Sequence, residues 1–230
     1  MKVLPDTDHI QLSGIDVDVV TEVIDCNQGA ESDDFLGEPS VRETRLWEVS
    51  CLELAMRTSA SRKQQGELDG FEEYARTLVA NRVRLFPALN RLQPGLQTEE
   101  AIFDCAGTAD FASQYLGLRR LLQGTGVEGP SSSIECSTET RAYARLVHRV
   151  TKRRRFFATK TGFFGIGPSS TQVGDRLCVV MYCPTPYLLR STDYGKFRLV
   201  GEVYVHGLMY GEALKSLDKK QASLRQWVVE

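Results

Sequence analysis

The sequence has no long apolar run and almost no net charge, and both absences exclude classes of function. No stretch of its 230 residues approaches the roughly 20 apolar residues of a membrane-spanning helix, and residues 1–10 are polar where a secretion signal is apolar. The formal net charge is −2, so total charge does not steer the chain towards nucleic acid or anionic lipid. We therefore expect a cytoplasmic protein that partners neither membrane nor nucleic acid.

Paired cysteines are also lacking. Six cysteines are spread along the chain without a CxxC pair, and the three histidines, His9, His148 and His206, stand far from any cysteine pair. This spacing fits neither a disulfide framework nor a zinc site. We expect reduced thiols, no metal and no cofactor.

The glycines of Gly165-Ile-Gly167-Pro168 suggest a phosphate-binding loop, because glycine lets backbone amides approach a phosphate. The segment lacks the lysine of such a loop and the apolar periodicity of a following helix. We interpret it as a turn and predict no nucleotide site.

The first two thirds of the sequence read mainly as helices. Alternation of apolar and polar residues from Ile10 to Val19 predicts a short strand or hairpin. Ser40 with Glu43 resembles a capping box at the start of the first helix. Apolar residues at helical spacing predict four helices, over about 40–59, 67–84, 98–122 and 138–152.

The last third changes to short strands separated by turns. Five strands are predicted, over 156–159, 163–166, 176–182, 187–191 and 197–206, and a last helix over 212–228. A sheet this small exposes unpaired edges unless it curls. We therefore predict an α+β fold with central helices, a short N-terminal strand or hairpin, and a C-terminal small antiparallel β-barrel or curled sheet.

The change in pattern also suggests a division of the chain. Residues 1–154 would hold the N-terminal strand segment and the helical region. Residues 155–230 would hold the strand-rich region and the final helix, and we expect the two parts to form one compact unit.

Several motifs of the strand-rich region resemble a known family. They are Phe157-Ala-Thr-Lys-Thr-Gly-Phe-Phe-Gly-Ile-Gly-Pro168, Gly174-Asp-Arg-Leu-Cys-Val-Val180, Pro186-Tyr-Leu-Leu-Arg190 and Leu199-Val-Gly-Glu-Val-Tyr-Val-His-Gly-Leu-Met-Tyr-Gly-Glu212. The pattern resembles the C-terminal region of fungal heterokaryon-incompatibility (HET) proteins, and Leu12-Ser-Gly-Ile-Asp-Val-Asp18 is similar to the start of that region. One departure is the turn at 182–185, where the family commonly has a glycine. The resemblance implies a HET-like C-terminal region without the upstream HET domain that is linked to cell-death signalling.

The strand predicted over 197–206 carries the candidate catalytic residues. An extended strand has a period of two, which places Glu202, Tyr204 and His206 on one face at intervals of about 7 Å. A carboxylate, a phenol and an imidazole in such a row can transfer protons to a bound molecule. Arg190 on the neighbouring strand could orient the carboxylate with two hydrogen bonds. The alternative is a structural polar network or a solvated face.

The segment 141–155 is strongly basic and contains no acidic residue. It could contact phosphate or nucleic acid. Alternatively, its cations favour the negative end of a helix dipole and face the acidic N-terminal stretch. We favour the second interpretation, because few aromatic residues interleave with the charges.

Two functions fit the sequence. The first is a stand-alone fungal module of the HET C-terminal type that binds a small-molecule ligand or a protein partner and regulates it. The second is a cofactor-independent cyclase or isomerase, for example a Diels-Alderase-like pericyclase, of terpenoid or polyketide secondary metabolism. The sequence leaves open whether the protein is an enzyme, the identity of its ligand and its oligomeric state.

Overall fold

The structure, a computed structural model, describes residues 2–3, 9–31, 37–62, 70–84, 102–104, 110–123, 137–218 and 223–230. In these residues the helices are α1 (Glu38–Arg62), α2 (Gly70–Leu78), α3 (Phe111–Gln123), α4 (Thr138–Thr151) and α5 (Glu212–Asp218), with a short 3-10 helix over Gln28–Glu31. The strands are β1 (Lys2–Val3), β2 (Ile10–Ile24), β3 (Arg82–Arg84), β4 (Ile102–Asp104), β5 (Arg154–Thr159), β6 (Phe164–Pro168), β7 (Arg176–Val180), β8 (Tyr187–Ser191), β9 (Phe197–Glu202), β10 (Tyr204–Val205) and β11 (Leu224–Val229).

Strand β2 is the centre of the sheet. The alternation that predicts a short strand or hairpin continues to Ile24 and gives a strand of 15 residues. Its first part pairs with β11, its middle with β7 and its last part with β5, all antiparallel. Two register shifts, between Asp16 and Asp18 and between Val20 and Glu22, bend the strand, as bulges do.

The strands close into a ring. From β2 the pairing runs through β5 and β6 to β10 on one side, and through β7 and β8 to β9 on the other. Strands β9 and β10 are consecutive and are separated only by Val203, whose N–H donates to the carbonyl of Pro186 at 3.0 Å. This arrangement confirms the α+β fold with a small, mainly antiparallel barrel. Among the described residues, every strand of the ring except β10, which pairs with β6 alone, has paired neighbours on both sides.

The interior of the ring is apolar and receives side chains from β2, β5, β7, β8 and β10. Its buried members are Ile15, Val20, Phe157, Leu177, Leu188, Val203, Val205, Leu208 and Ala213. Strand β6 carries two glycines, Gly165 and Gly167, which have no side chain and leave room for their neighbours. A Cβ on Gly165 would collide with the Tyr204 carbonyl oxygen, and one on Gly167 would lie only 2.7 Å from Oγ1 of Thr171. The interpretation of Gly165–Pro168 as a turn is therefore wrong, because these residues form β6, where the glycines allow close packing.

Helices α1 to α4 cover the outer face of β5 and β6. Phe156 and Phe164 point to this layer and stack with ring centroids 5.7 Å apart, and Tyr74 meets Phe156 edge-on at 5.8 Å. Because side chains alternate along a strand, Phe156 and its neighbour Phe157 serve opposite cores. A third cluster surrounds the buried Trp227 of β11.

The predicted last helix is wrong in its second half. Helix α5 ends at Asp218, and residues 224–229 form β11, which pairs with β2. Trp227 and Val229 are both buried and lie two residues apart, which is the period of a strand. Pairing and burial in the sheet decide the conformation of this segment.

Other predicted boundaries shift. The second helix, α2, ends early, at Leu78, and residues 82–84 after it form a short strand. This strand pairs with residues 102–104, which the sequence pattern predicts to be helical, so the third helix begins only at Phe111. Helix α1 begins before Ser40, so this residue and Glu43 do not cap its start. The predicted starts of the second and third helices, at 67 and 98, lie outside the described residues.

The predicted division at residue 154 stays a prediction. Strand β2 lies in the first part and pairs with β5, β7 and β11, which lie in the second or begin at the boundary. The sheet therefore joins both parts.

The glycine of β6 gives a test of the interior packing. We expect Gly165→Ala to lower the free energy of unfolding by about 2 kcal/mol, or Tm by about 4–8 °C, because the new methyl group would collide with the backbone of Tyr204. Ser169→Ala, on the exposed turn after the same strand, should leave Tm unchanged. Equal melting temperatures for Gly165→Ala and the wild type would contradict the close packing.

Candidate functional site

The predicted row of three polar residues does not lie on one continuous strand. Strand β9 ends at Glu202, and after Val203 the chain changes partners, from β8 to β6. As a result Glu202 is exposed, Tyr204 is buried and His206 lies half-buried in the turn after β10. The structure still keeps Tyr204 and His206 together, with 3.1 Å between the phenol oxygen and Nδ1 of the imidazole.

A pocket of about 330 Å³ lies where these residues meet the helical layer. It opens between the second half of α4, the β6–β10 pair and the turn that follows β10. Its lining is Ala80, Leu146, Arg149, Val150, Arg154, Ile166, Pro184, Glu202, Val203, Tyr204, Met209 and Tyr210. Two of the predicted site residues, Glu202 and Tyr204, thus line one cavity.

The charged groups of the pocket are two guanidinium groups and one carboxylate. Arg149 lies in the last turn of α4 and is exposed. Arg154 begins β5, and its Nη2 lies 3.5 Å from Oε1 of Glu202. Both side chains of this pair are well exposed, at 35% for Arg154 and 59% for Glu202, so water screens the attraction. The site is therefore polar, with a local excess of positive charge.

Tyr210 is fixed by a chain of hydrogen bonds from α2. Its hydroxyl accepts from Nδ2 of the buried Asn81 at 2.9 Å, and Oδ1 of Asn81 accepts from Arg76 at 2.9 Å. Arg76 in turn donates to Glu72 at 2.9 Å. The backbone N–H of Tyr210 donates to Glu212 at 2.7 Å. One wall of the pocket is thus anchored to both α2 and α5.

Sequence reasoning missed three residues of this site. Arg149 and Arg154 belong to the basic segment 141–155, for which the sequence favours a structural role. Tyr210 carries no sequence signal, because its partner Asn81 is 129 residues away in the chain. Only the basic charge on one helix could have pointed to the pocket.

Comparison with known proteins places the pocket within a recognised domain. Residues 132–224 match the family model of the Het-6 beta-barrel domain. The match runs from before α4 to the start of β11 and confirms the resemblance to a HET-family C-terminal region. No curated protein and no solved structure matches the chain. Of the pocket lining, every residue except Ala80 lies within the matched segment.

Arg190 of the Het-6 barrel segment lies away from the pocket, and its predicted partner is wrong. In the pairing of β8 with β9, Tyr187 stands opposite Glu202 and Arg190 stands opposite Arg198. Arg190 instead holds the carboxylate of Asp175, with bonds of 2.8 and 3.0 Å, and donates to the carbonyl of Ser170 at 2.6 Å. The hydrogen bonds to Asp175 raise the pKa of the Arg190 guanidinium. Arg190 fastens the turn between β6 and β7.

The basic segment at the start of the Het-6 match does face acidic groups. Arg155 lies 3.1 Å from Asp25, which belongs to the acidic N-terminal stretch, and Arg153 lies 3.4 Å from Glu31. Part of this segment therefore has the structural role that we favoured. Arg149 and Arg154 remain at the pocket.

A second groove, of about 820 Å³, lies beside β2 and α5 and is more open. Its charges are largely paired within the protein. Asp16 binds Arg176 and Arg225, and Asp18 accepts from the backbone and hydroxyl of Thr161 at 2.8 and 2.6 Å.

Among the residues described here, no group of three His, Cys, Asp or Glu side chains could hold a metal ion. None of the helices in the described ranges is long and apolar enough to cross a membrane.

A matched pair of arginine variants tests the structural role of Arg190. Arg190→Gln should lower the free energy of unfolding by about 2 kcal/mol, because Asp175, only 1% exposed, would lose its charged partner. Thermal unfolding should show a Tm lower by about 4–8 °C. Arg198→Gln is the control, since Arg198 stands opposite on β9 but is exposed. Equal stability of the two variants would show that the Asp175 contact contributes little.

Proposed function

We propose that this Het-6-barrel-type chain is a binding module that takes a small-molecule ligand in the pocket between α4 and the sheet. The observation that carries the proposal is a concave site of about 330 Å³ in which apolar walls and a few polar groups converge. Ligand sites in proteins are clefts of this size and character.

The apolar part of the lining would supply most of the affinity. Leu146 and Val150 present one side of α4, Ile166 lies on β6, and Met209 follows β10. Methionine adapts its shape to a bound group. The polar groups Tyr204 and Tyr210 would orient the ligand by hydrogen bonds.

The support for a prebuilt site is the packing beneath it. Leu146 and Ile166 belong to the buried cluster between the helices and the barrel, and Tyr204 lies on a strand of the ring. The elements that carry these residues, α4 and the β6–β10 pair, are regular and have buried neighbours. A site on such elements loses little conformational entropy when it binds.

We further propose that the protein works in the cytoplasm of a fungal cell. The fungal part rests on the similarity to the Het-6 beta-barrel domain. The cytoplasmic part is supported by Cys26, Cys51, Cys178 and Cys183, which are free thiols, as is usual in reducing compartments. Regulation would follow if the liganded module bound a protein partner differently from the empty one.

A pocket-filling variant tests the binding function. The probe is 2-naphthamide, a neutral molecule with a flat apolar body and one polar group. We expect it to raise Tm of the wild type and not of Met209→Trp, whose indole would occupy the pocket. Leu214→Trp, on an exposed position of α5, is the control and should bind normally. If 2-naphthamide binds wild type and Met209→Trp equally, the ligand site lies elsewhere.

The enzymatic alternative, a cofactor-independent isomerase or cyclase of terpenoid or polyketide metabolism, has its own support. The hydroxyl of Tyr204 contacts the imidazole of His206 at 3.1 Å, and Tyr204 lines the pocket. Such a pair can move a proton to or from a bound carbonyl compound. Glu202, on the same lining, could assist as a carboxylate, whereas Arg190 would act only by holding the barrel together.

Proton exchange on a shape-matched ketone tests this alternative. In D₂O, the wild type should accelerate deuterium incorporation into the methyl group of 2-acetonaphthone, which NMR follows directly. His206→Gln and Tyr204→Phe should each lower the rate by about a hundredfold, because they remove a proton-transfer group. His148→Gln is the control, since His148 lies on α4 outside this lining. A wild-type rate equal to that of the buffer would leave binding as the function.

A further inference from the structure

We infer that the ligand of the α4 pocket carries a carboxylate, which binds between Arg149 and Arg154 and displaces Glu202. This inference rests on the proposed binding function and names the chemical class of the ligand. The rest of the lining, which is apolar or aromatic, would hold an apolar body attached to that carboxylate.

The first argument is the difference between Arg154 and the other paired arginines of the barrel. Arg190 makes bonds of 2.8 and 3.0 Å to a carboxylate that is 1% exposed. Arg155 donates to the carbonyl of Thr171 at 2.9 Å and lies 3.1 Å from Asp25. Within the described part of the chain, Arg154 has by contrast one long ion-pair contact, of 3.5 Å to Glu202. Its guanidinium is the most easily transferred to an incoming anion.

The second argument is the charge balance of the lining. Arg149 makes no ion pair with any residue in the described part of the chain, and it lines the same cavity as Arg154. Two guanidinium groups thus face one carboxylate, so the empty pocket has an uncompensated positive charge. A ligand with one negative charge would neutralise it.

The third argument is that Arg154 already contacts a carboxylate, that of Glu202, which is the chemical group we infer for the ligand. A carboxylate matches the planar fork of a guanidinium. Because Glu202 is exposed at the end of β9, its side chain can turn to water when a ligand carboxylate arrives. Glu202 would therefore act as an internal competitor, and its removal should strengthen binding.

A matched pair of probes tests the inference. 2-Naphthoate and 2-naphthamide have the same shape, but only the first is charged, and calorimetry at low ionic strength measures both affinities. We expect naphthoate to bind about tenfold more tightly, and Arg149→Gln and Arg154→Gln each to remove about tenfold of its affinity without changing that of naphthamide. Glu202→Gln should strengthen naphthoate binding several-fold. Arg141→Gln, on an exposed position of α4 outside the lining, is the control and should bind both probes normally.

Each result separates the inference from the proposed function. Equal affinities for the two probes, unaffected by the arginine variants, would overturn the carboxylate and leave the binding function intact. Binding of neither probe would overturn both. 2-Naphthyl phosphate binding more than about tenfold tighter than naphthoate would assign the site to phosphates instead. Added salt should weaken naphthoate alone, and equal loss for both probes would also contradict an ionic contact.

Discussion

The structure depends on the pairing of β2 with neighbours on both of its edges. This one strand receives β11, β7 and β5 along its 15 residues, and the two register shifts let it bend from one partner to the next. Without it, the β5–β6–β10 group and the β7–β8–β9 group would meet only through Val203, the Arg154–Glu202 pair and the contact of β6 with β9 among the described residues. The pocket depends on the same closure, because its floor is the β6–β10 pair.

The helical layer packs on this ring through apolar side chains, and a small buried polar network joins its helices to one another. Glu48 of α1 is 3% exposed, and burial raises the pKa of its carboxyl group. Its carboxylate accepts from the hydroxyl of Tyr115, its backbone carbonyl accepts from Tyr74 at 3.2 Å, and Arg119 lies 3.7 Å away. Because buried polar groups are costly unless paired, these bonds favour one arrangement of α1, α2 and α3 over others. That arrangement also positions Asn81, which holds Tyr210 at the pocket.

The sequence predicts local elements well where one periodicity dominates, and fails where distant segments decide. Strand β8 is predicted residue for residue, since Tyr187–Ser191 is bounded by prolines and a turn. The face shared by Glu202, Tyr204 and His206 fails at Val203, where the chain leaves β8 for β6 and three successive residues, 203–205, are buried. The strand at Trp227 is missed because its partner lies more than 200 residues earlier. The partner of Arg190 could not be predicted either, because Asp175 comes close to Arg190 only when the barrel is closed.

The distribution of ion pairs explains why the pocket is basic in a chain whose net charge is −2. Outside the pocket, several arginines are matched with acids drawn from across the chain. These pairs include Arg57–Glu22, Arg153–Glu31, Arg155–Asp25, Arg176–Asp16, Arg190–Asp175 and Arg225–Asp16. Because the two charges of a pair are opposite and close together, their fields largely cancel, so these pairs contribute little field at the pocket. A ligand that enters the cavity therefore meets mainly Arg149, Arg154 and Glu202, and the selectivity of the site is set by these local charges and not by the charge of the whole molecule.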